Sequence, residues 1–73
     1  MNDGSTGKRL GVVVRDRRRQ LGLSQGELAD LAGASPRFIG ALESGKASVR
    51  VDKLEAVLDA LGLELIAQLR QVT

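Results

Sequence analysis

Cationic side chains are the chemistry this 73-residue chain offers, and most of them come early. Lys8, Arg9, Arg15, Arg17, Arg18 and Arg19 precede Ser24 and are offset in that stretch by Asp3 and Asp16 alone. From Val51 onward acidic residues outnumber basic ones, so a formal net charge of +2 hides a basic front and an acidic rear. Such a front suits an anionic polymer or an acidic protein surface; taken alone, a solvated helix face accounts for it equally well. Nucleophilic and acid–base chemistry is poorly served. The sequence holds no histidine, cysteine, tyrosine or tryptophan, and its carboxylates and lysines are not grouped for proton transfer. Ser5, Ser24, Ser35, Ser44 and Ser48 have no histidine base and read better as helix caps and loop residues. Metal-ligand spacing and a glycine-rich phosphate cradle are both missing from the sequence. We therefore expect no enzymatic activity, no metal and no cofactor.

Positioning those charges falls to short helices. Leu23 to Gly45 reads LSQGELADLAGASPRFIGALESG. Ser24 is a good N-cap, and Glu27 three residues later completes a capping box. Leu28, Ala29, Leu31 and Ala32 give this first helix an apolar face, and Gly33 ends it. Ser35 then caps a second helix with Pro36 at its first position, where the missing N–H costs nothing. Ile39 and Leu42 point inward, and Gly45 closes the run. Two helices joined by so tight a turn cannot lie antiparallel; they cross steeply, and one is pushed outward. The form is a helix-turn-helix, whose second helix is shaped for a DNA major groove. A corner of a small helical bundle is the plainer alternative.

Residue choice along this stretch narrows the reading, with a small Ala29 where helices cross and Gly33 at a left-handed turn position. The pattern SQGELADLAG-S----I--LE-G resembles the lambda-repressor and Cro-like (XRE) helix-turn-helix family. It matches at Ser24, Gln25, Leu28, Ala29, Gly33, Ser35, Ile39, Glu43 and Gly45, and with flanking helices the resemblance runs from about Leu10 to Gly62. It implies an all-α, four-helix lambda-repressor-like DNA-binding bundle. It implies further that Gln25 reaches the DNA backbone or a base edge, and that Pro36, Gly40 and Ala41 face the groove. Family members often hold an arginine of the first helix against the glutamate ending the recognition helix; Arg18 and Glu43 stand at those positions as a structural ion pair.

Arg37, at the exposed start of the recognition helix, is the candidate for direct readout, since a guanidinium can pair with guanine O6 and N7; a phosphate contact is its other use. Ser35 can cap the helix and also donate to a phosphate or base. Pro36, Gly40 and Ala41 carry little hydrogen-bonding capacity, so specificity would rest on Arg37, on apolar contacts with thymine methyls and on DNA shape. Phe38 is the sole aromatic residue and reads as packing at the core edge, with a sugar or base contact as the alternative. Ser44, Lys46 and the Gly45 turn are placed for phosphates; a merely solvated lysine accounts for Lys46 equally well. Arg15, Arg17 and Arg19 would act as general backbone contacts that set salt dependence more than specificity.

Three segments follow. Residues 1–7 are polar and glycine-rich and are expected to be a disordered arm. Residues 8–62 form the DNA-binding domain. Its first helix is expected from Lys8 or Arg9 to Gln20, with Leu10, Val13, Val14 and Arg17 at helical spacing; three consecutive valines also suit a strand, and the arginine-rich continuation decides for helix. Lys46 to Arg50 form a loop with Val49 tucked under the bundle. The last helix runs from about Val51 to Leu61, with Leu54, Val57, Leu58 and Leu61 on one face and Gly62 as its stop. In the tail, 63–73, Leu63, Leu65, Ala67 and Leu69 alternate with Glu64, Ile66, Gln68 and Arg70, which reads as a half-buried strand; a helix remains open because Leu65 and Leu69 are four apart. A lone strand needs a partner, and the economical one is its own copy, antiparallel across the two-fold axis of a homodimer. The small size and the lack of cysteine point the same way.

In this tail the sequence resembles HipB-type antitoxins, XRE-family repressors whose last segment is an intersubunit strand. That resemblance implies autoregulation of a toxin–antitoxin operon and binding of a HipA-like kinase toxin. The expected function is a homodimeric repressor on a near-palindromic double-stranded operator, its half-sites ~34 Å apart. A phage or general XRE regulator, or a protein-interaction module without a DNA role, are the alternatives. No apolar run approaches the roughly 20 residues of a membrane span, and the start lacks the apolar stretch of a secretory signal. The protein is expected in the cytoplasm, on the bacterial nucleoid when bound.

Overall fold

Among the described residues every helix stops at a glycine in the left-handed region, Gly22, Gly33, Gly45 and Gly62 in turn. The computed structural model describes residues 5–46 and 48–68, and within them four helices: α1 (Ser5–Gln20), α2 (Gln25–Ala32), α3 (Pro36–Glu43) and α4 (Val51–Ala60). The caps follow from the sequence. Ser24 Oγ accepts from the Glu27 N–H at 3.0 Å while Glu27 Oε1 accepts from the Ser24 N–H at 2.8 Å, closing the capping box. Gly33 at φ 67° lets the Ala34 N–H reach back to the Ala29 carbonyl. Ser35 Oγ takes the Phe38 N–H, so α3 restarts at Pro36 after a three-residue turn.

The core comprises Val14, Leu28, Ala29, Ile39, Leu42, Leu54, Val57, Leu58 and Leu61, with Leu10, Leu23, Phe38, Val49 and Leu63 packed around it. Main packing is of α1 and α2 on α3, and of α2 on α4. α1 meets α3 along Gly11, Val14 and Arg18, an i, i+3, i+7 line. At Gly11 the approach is so close that a Cβ would lie 2.6 Å from the Leu42 carbonyl oxygen and 2.7 Å from that of Glu43.

Several expectations need correction. α1 begins at Ser5, so residues 5–7 form its first turn and not part of a disordered arm; 1–4 lie outside the described residues. The turn after α3 backs this start, since a Cβ on Gly45 would come 3.1 Å from Lys8 Cα. Leu31 is 63% exposed, because it lies about 200° around the helix axis from Ala29, which is buried. Val13 is also outward, and Gly11 and Val14 take the inner positions. α4 ends at Ala60, and Leu61 is its buried C-cap.

The tail departs most. Leu63 donates its N–H to the Leu58 carbonyl at 2.8 Å and packs on the core, which makes it the closing residue of α4 and not the opening of a strand. Residues 64–68 are exposed, and among the described residues no strand is formed. A ladder requires a second strand, and the described residues provide none. Leu69 lies outside the described residues.

Candidate nucleic-acid interface

The eight residues of α3 divide by what they face. Ile39, Leu42 and Glu43 are buried, Phe38, Gly40 and Ala41 are half-buried, and Pro36, Arg37 and the adjoining Ser35 and Ser44 are exposed. At about 100° per residue, Arg37 and Ser44 crown a ridge opposite the core. Gly40 and Glu43 fall on one flank of that ridge, Phe38 and Ala41 on the other. Each flank borders a cleft lined with cations.

The first cleft, of about 270 Å³, lies between α1, the start of α2 and α3, and brings together Arg15, Arg19, Gln25, Gly40 and Ser44. Its floor is the expected pair. Arg18 Nε donates to Glu43 Oε2 at 2.6 Å and Nη2 to Oε1 at 2.9 Å, with Nη1 on the Leu23 carbonyl. Burial pushes the Glu43 carboxyl up, but hydrogen bonds from Arg18 and Gln25, with the charges of Arg18 and Arg15, outweigh it and hold the group below its ordinary range. The same hydrogen bonding to Glu43 raises Arg18 above its ordinary value. Gln25 is exposed at the first turn of α2 and donates Nε2–H to Glu43 Oε1 at 3.2 Å, leaving a carbonyl and one N–H to face outward. The Arg15 Nε–H is buried with no partner among the described residues.

Arg17 does not join this group. Its Nε donates to the Leu61 carbonyl at 2.9 Å, so the guanidinium closes the end of α4. The expectation that it serves as a general backbone contact is corrected: spacing along α1 turns it toward α4.

The second cleft, of about 330 Å³, lies between α3 and the start of α4. Arg37, Lys46, Arg50 and Lys53 surround Phe38 and Val49 there. Phe38 packs against the core edge, and Lys53 Nζ stands 6.0 Å from the centre of its ring. Arg50 and Lys53, which line this cleft, were not singled out by the sequence analysis. The available signal was a pair of cations opening the helix directly after the Lys46 loop. Asp52 forms a two-pronged pair with Arg50, Nε to Oδ1 at 3.1 Å and Nη2 to Oδ2 at 2.7 Å.

Of the tail positions, Leu63 joins the core edge, while Leu65 and Ala67 are exposed beside Ile66, itself 69% exposed. Glu55, Asp59 and Glu64 gather around Leu58 and Leu65, so this end is acidic where the α3 side is basic. Among the described residues no helix is long and apolar enough to cross a membrane, and no cluster of three acidic, histidine or cysteine side chains is placed to hold a metal ion.

Residues 14–67 match the family model described as Helix-turn-helix, HTH_3. The chain belongs to the XRE-type helix-turn-helix family. This helix-turn-helix protein is 41% identical over 56 residues to an uncharacterised HTH-type transcriptional regulator, y4mF, of Sinorhizobium fredii, covering 77% of this chain and 74% of that one. An uncharacterised HTH-type transcriptional regulator of Methanothermobacter thermautotrophicus is 38% identical over 55 residues, covering 75% of this chain and 80% of its own. Among solved structures, the clp gene regulator ClgR from Corynebacterium glutamicum superposes with a TM-score of 0.71 at 33% identity. The match covers 80% of this chain and 62% of that one, so the chain spans less than two thirds of ClgR. The helix-turn-helix chain is thus a DNA-binding transcriptional regulator with the lambda-repressor-like fold.

Proposed function

We propose that the protein is a homodimeric, sequence-specific repressor that presents α3 of each protomer to successive major grooves of a near-palindromic operator. The observation that carries this is the ridge of α3 standing between two cation-lined clefts. An eight-residue helix is about 12 Å long, and the major groove is about 12 Å wide with a phosphate strand on each side. Arg37 reads guanine from the ridge. Ser35, Pro36, Gly40 and Ala41 meet base edges and thymine methyls. Gln25, Arg15, Arg19, Ser44 and Lys46 hold phosphates, and Phe38 supports the helix from beneath.

Affinity selection of random duplexes, followed by a gel shift of the enriched sequence at two salt concentrations, tests this. Arg37→Ala should cost about 1–3 kcal/mol and relax preference at one base pair. If no sequence is enriched, the repressor reading fails.

The finer reading is a cytoplasmic HipB-like antitoxin whose tail beyond Leu63, up to residue 73, pairs with its copy in the dimer and which binds a HipA-like kinase toxin. Its support is the alternation of Leu65, Ala67 and Leu69 with Glu64, Ile66, Gln68 and Arg70. Co-purification of a kinase-like protein from the native host, and loss of the dimer on truncation after Leu63, test it. The likeness to ClgR supports instead a general XRE regulator with no toxin, and a dimer that purifies alone while still repressing would favour that.

A further inference from the structure

Arg50 and Lys53 lie in the cleft on the α4 side of the ridge, and neither holds the fold together. Arg50 and Asp52 are both well exposed, their side chains at 70% and 64%, and Arg50 supplies no side-chain bond to cap α4 although it is the N-cap residue. With Arg37 and Lys46, they make four cations around one concave surface whose apolar floor is Phe38 and Val49. The acidic residue tied into this group is Asp52, and its carboxylate sits on the Arg50 guanidinium as a two-pronged acceptor. A phosphate would take the same fork in the same geometry. Asp52 is independently settled where it is: it lies in the first turn of α4, and its Oδ1 accepts the Lys53 N–H at 2.9 Å. Removing its charge need not disturb the turn, because an asparagine keeps that acceptor.

We infer that Asp52 is an internal competitor of DNA: it occupies Arg50 in the cleft that Arg50 lines with Lys46 and Lys53, and a duplex phosphate must displace it. The inference rests on the reading of α3 as a groove-binding helix and goes beyond it by giving Asp52 control over how tightly the start of α4 holds the far wall of the groove. Arg15, Arg19 and Gln25 hold one strand, and the start of α4 holds the other. Asp52 lowers the strength of that second hold without touching the residues that read bases. The cleft therefore sets affinity for DNA in general, while Arg37 sets preference among sequences.

The test is a double-substitution cycle on the full chain, using the enriched duplex and a scrambled duplex of equal length. Asp52→Asn should tighten binding about fivefold on both duplexes and steepen the salt dependence by up to about one phosphate contact. Arg50→Gln should weaken both. In the Arg50→Gln background, Asp52→Asn should lose its effect. Replacing the backbone phosphates of the half-site one at a time with neutral methylphosphonates should locate a position at which the Asp52→Asn gain disappears. The inference is overturned if Asp52→Asn leaves affinity unchanged. It is equally overturned if Asp52→Asn tightens binding to the same degree without Arg50, which would make it a general charge effect. Arg37→Ala separates this result from the functional reading, because it should lose affinity on the enriched duplex alone. If the parent protein binds no duplex at all, both readings fall together. Thermal melts of each variant, expected within a few degrees of the parent, exclude unfolding as the cause.

Discussion

Gly11→Ala tests the close approach of α1 and α3 directly. Alanine is the better helix former, so in an open helix the change would gain about 1 kcal/mol. At position 11 the added methyl carbon would stand 2.6 Å and 2.7 Å from two backbone carbonyl oxygens of α3, where ordinary contact begins near 3.4 Å. Neither oxygen can rotate aside, because both belong to the end of a helix. α1 must therefore back away from α3, loosening Val14 and pulling Arg18 off Glu43. Overpacking of this kind costs about 1–3 kcal/mol and sometimes more, and the rigid neighbours place it at the upper end. After the propensity gain is subtracted, a net loss of about 2 kcal/mol remains, or roughly 8–16 °C in Tm for a domain of this size. Gly40→Ala is the matched control, since no atom lies within 4 Å of its Cβ position; it should melt at or above the parent temperature. Circular-dichroism melts and urea titrations of both variants provide the measurement. A Gly11→Ala protein as stable as the parent would refute the close approach of α1 and α3.

The buried pair yields two further predictions. Arg18→Met strands the Glu43 carboxylate in the core edge and should cost about 3–5 kcal/mol by urea unfolding, whereas Arg18→Met combined with Glu43→Leu should recover most of it; equal loss in both proteins would contradict this. Because the folded-state carboxyl of Glu43 is held below its ordinary range, its contribution is complete above the unfolded value of about 4.3 and fades as pH falls through the lower folded value. Stability should therefore drop on the acid side of pH 4, and Glu43→Gln should flatten that limb; an unchanged acid limb in the variant would count against the pair.

Where the sequence was legible, local chemistry decided the structure. Ser24 with Glu27, Ser35 with Pro36, and Gly33 each fix one end of a helix by bonds among near neighbours, and each forms as their types dictate. Ile39 and Leu42 were readable by spacing, and Arg18 with Glu43 by resemblance. The misreadings involve contacts set at a distance. Gly11 looks like a weak helix residue until the α3 carbonyls arrive against it. Leu31 carries an apolar side chain that the packing of α2 leaves in solvent. Arg17 is one arginine among several until the Leu61 carbonyl singles it out. Alternation in the tail describes what a strand would bury if a second strand were present, and the described residues contain none. Arg50 and Lys53 needed the fold to bring the start of α4 beside α3.

The division of labour within α3 has a consequence for how such a protein can change. Ile39, Leu42 and Glu43 fasten the helix from its buried side, and Pro36, Arg37, Gly40, Ala41 and Ser44 lie outside that buried set. A gene copy could therefore swap several of the outer five letters at once and acquire a new genomic address, with the chassis beneath it still folding as before. Diversification by duplication would be gated by the availability of matching promoter sequences, and not by the mechanical tolerance of the helix that addresses them.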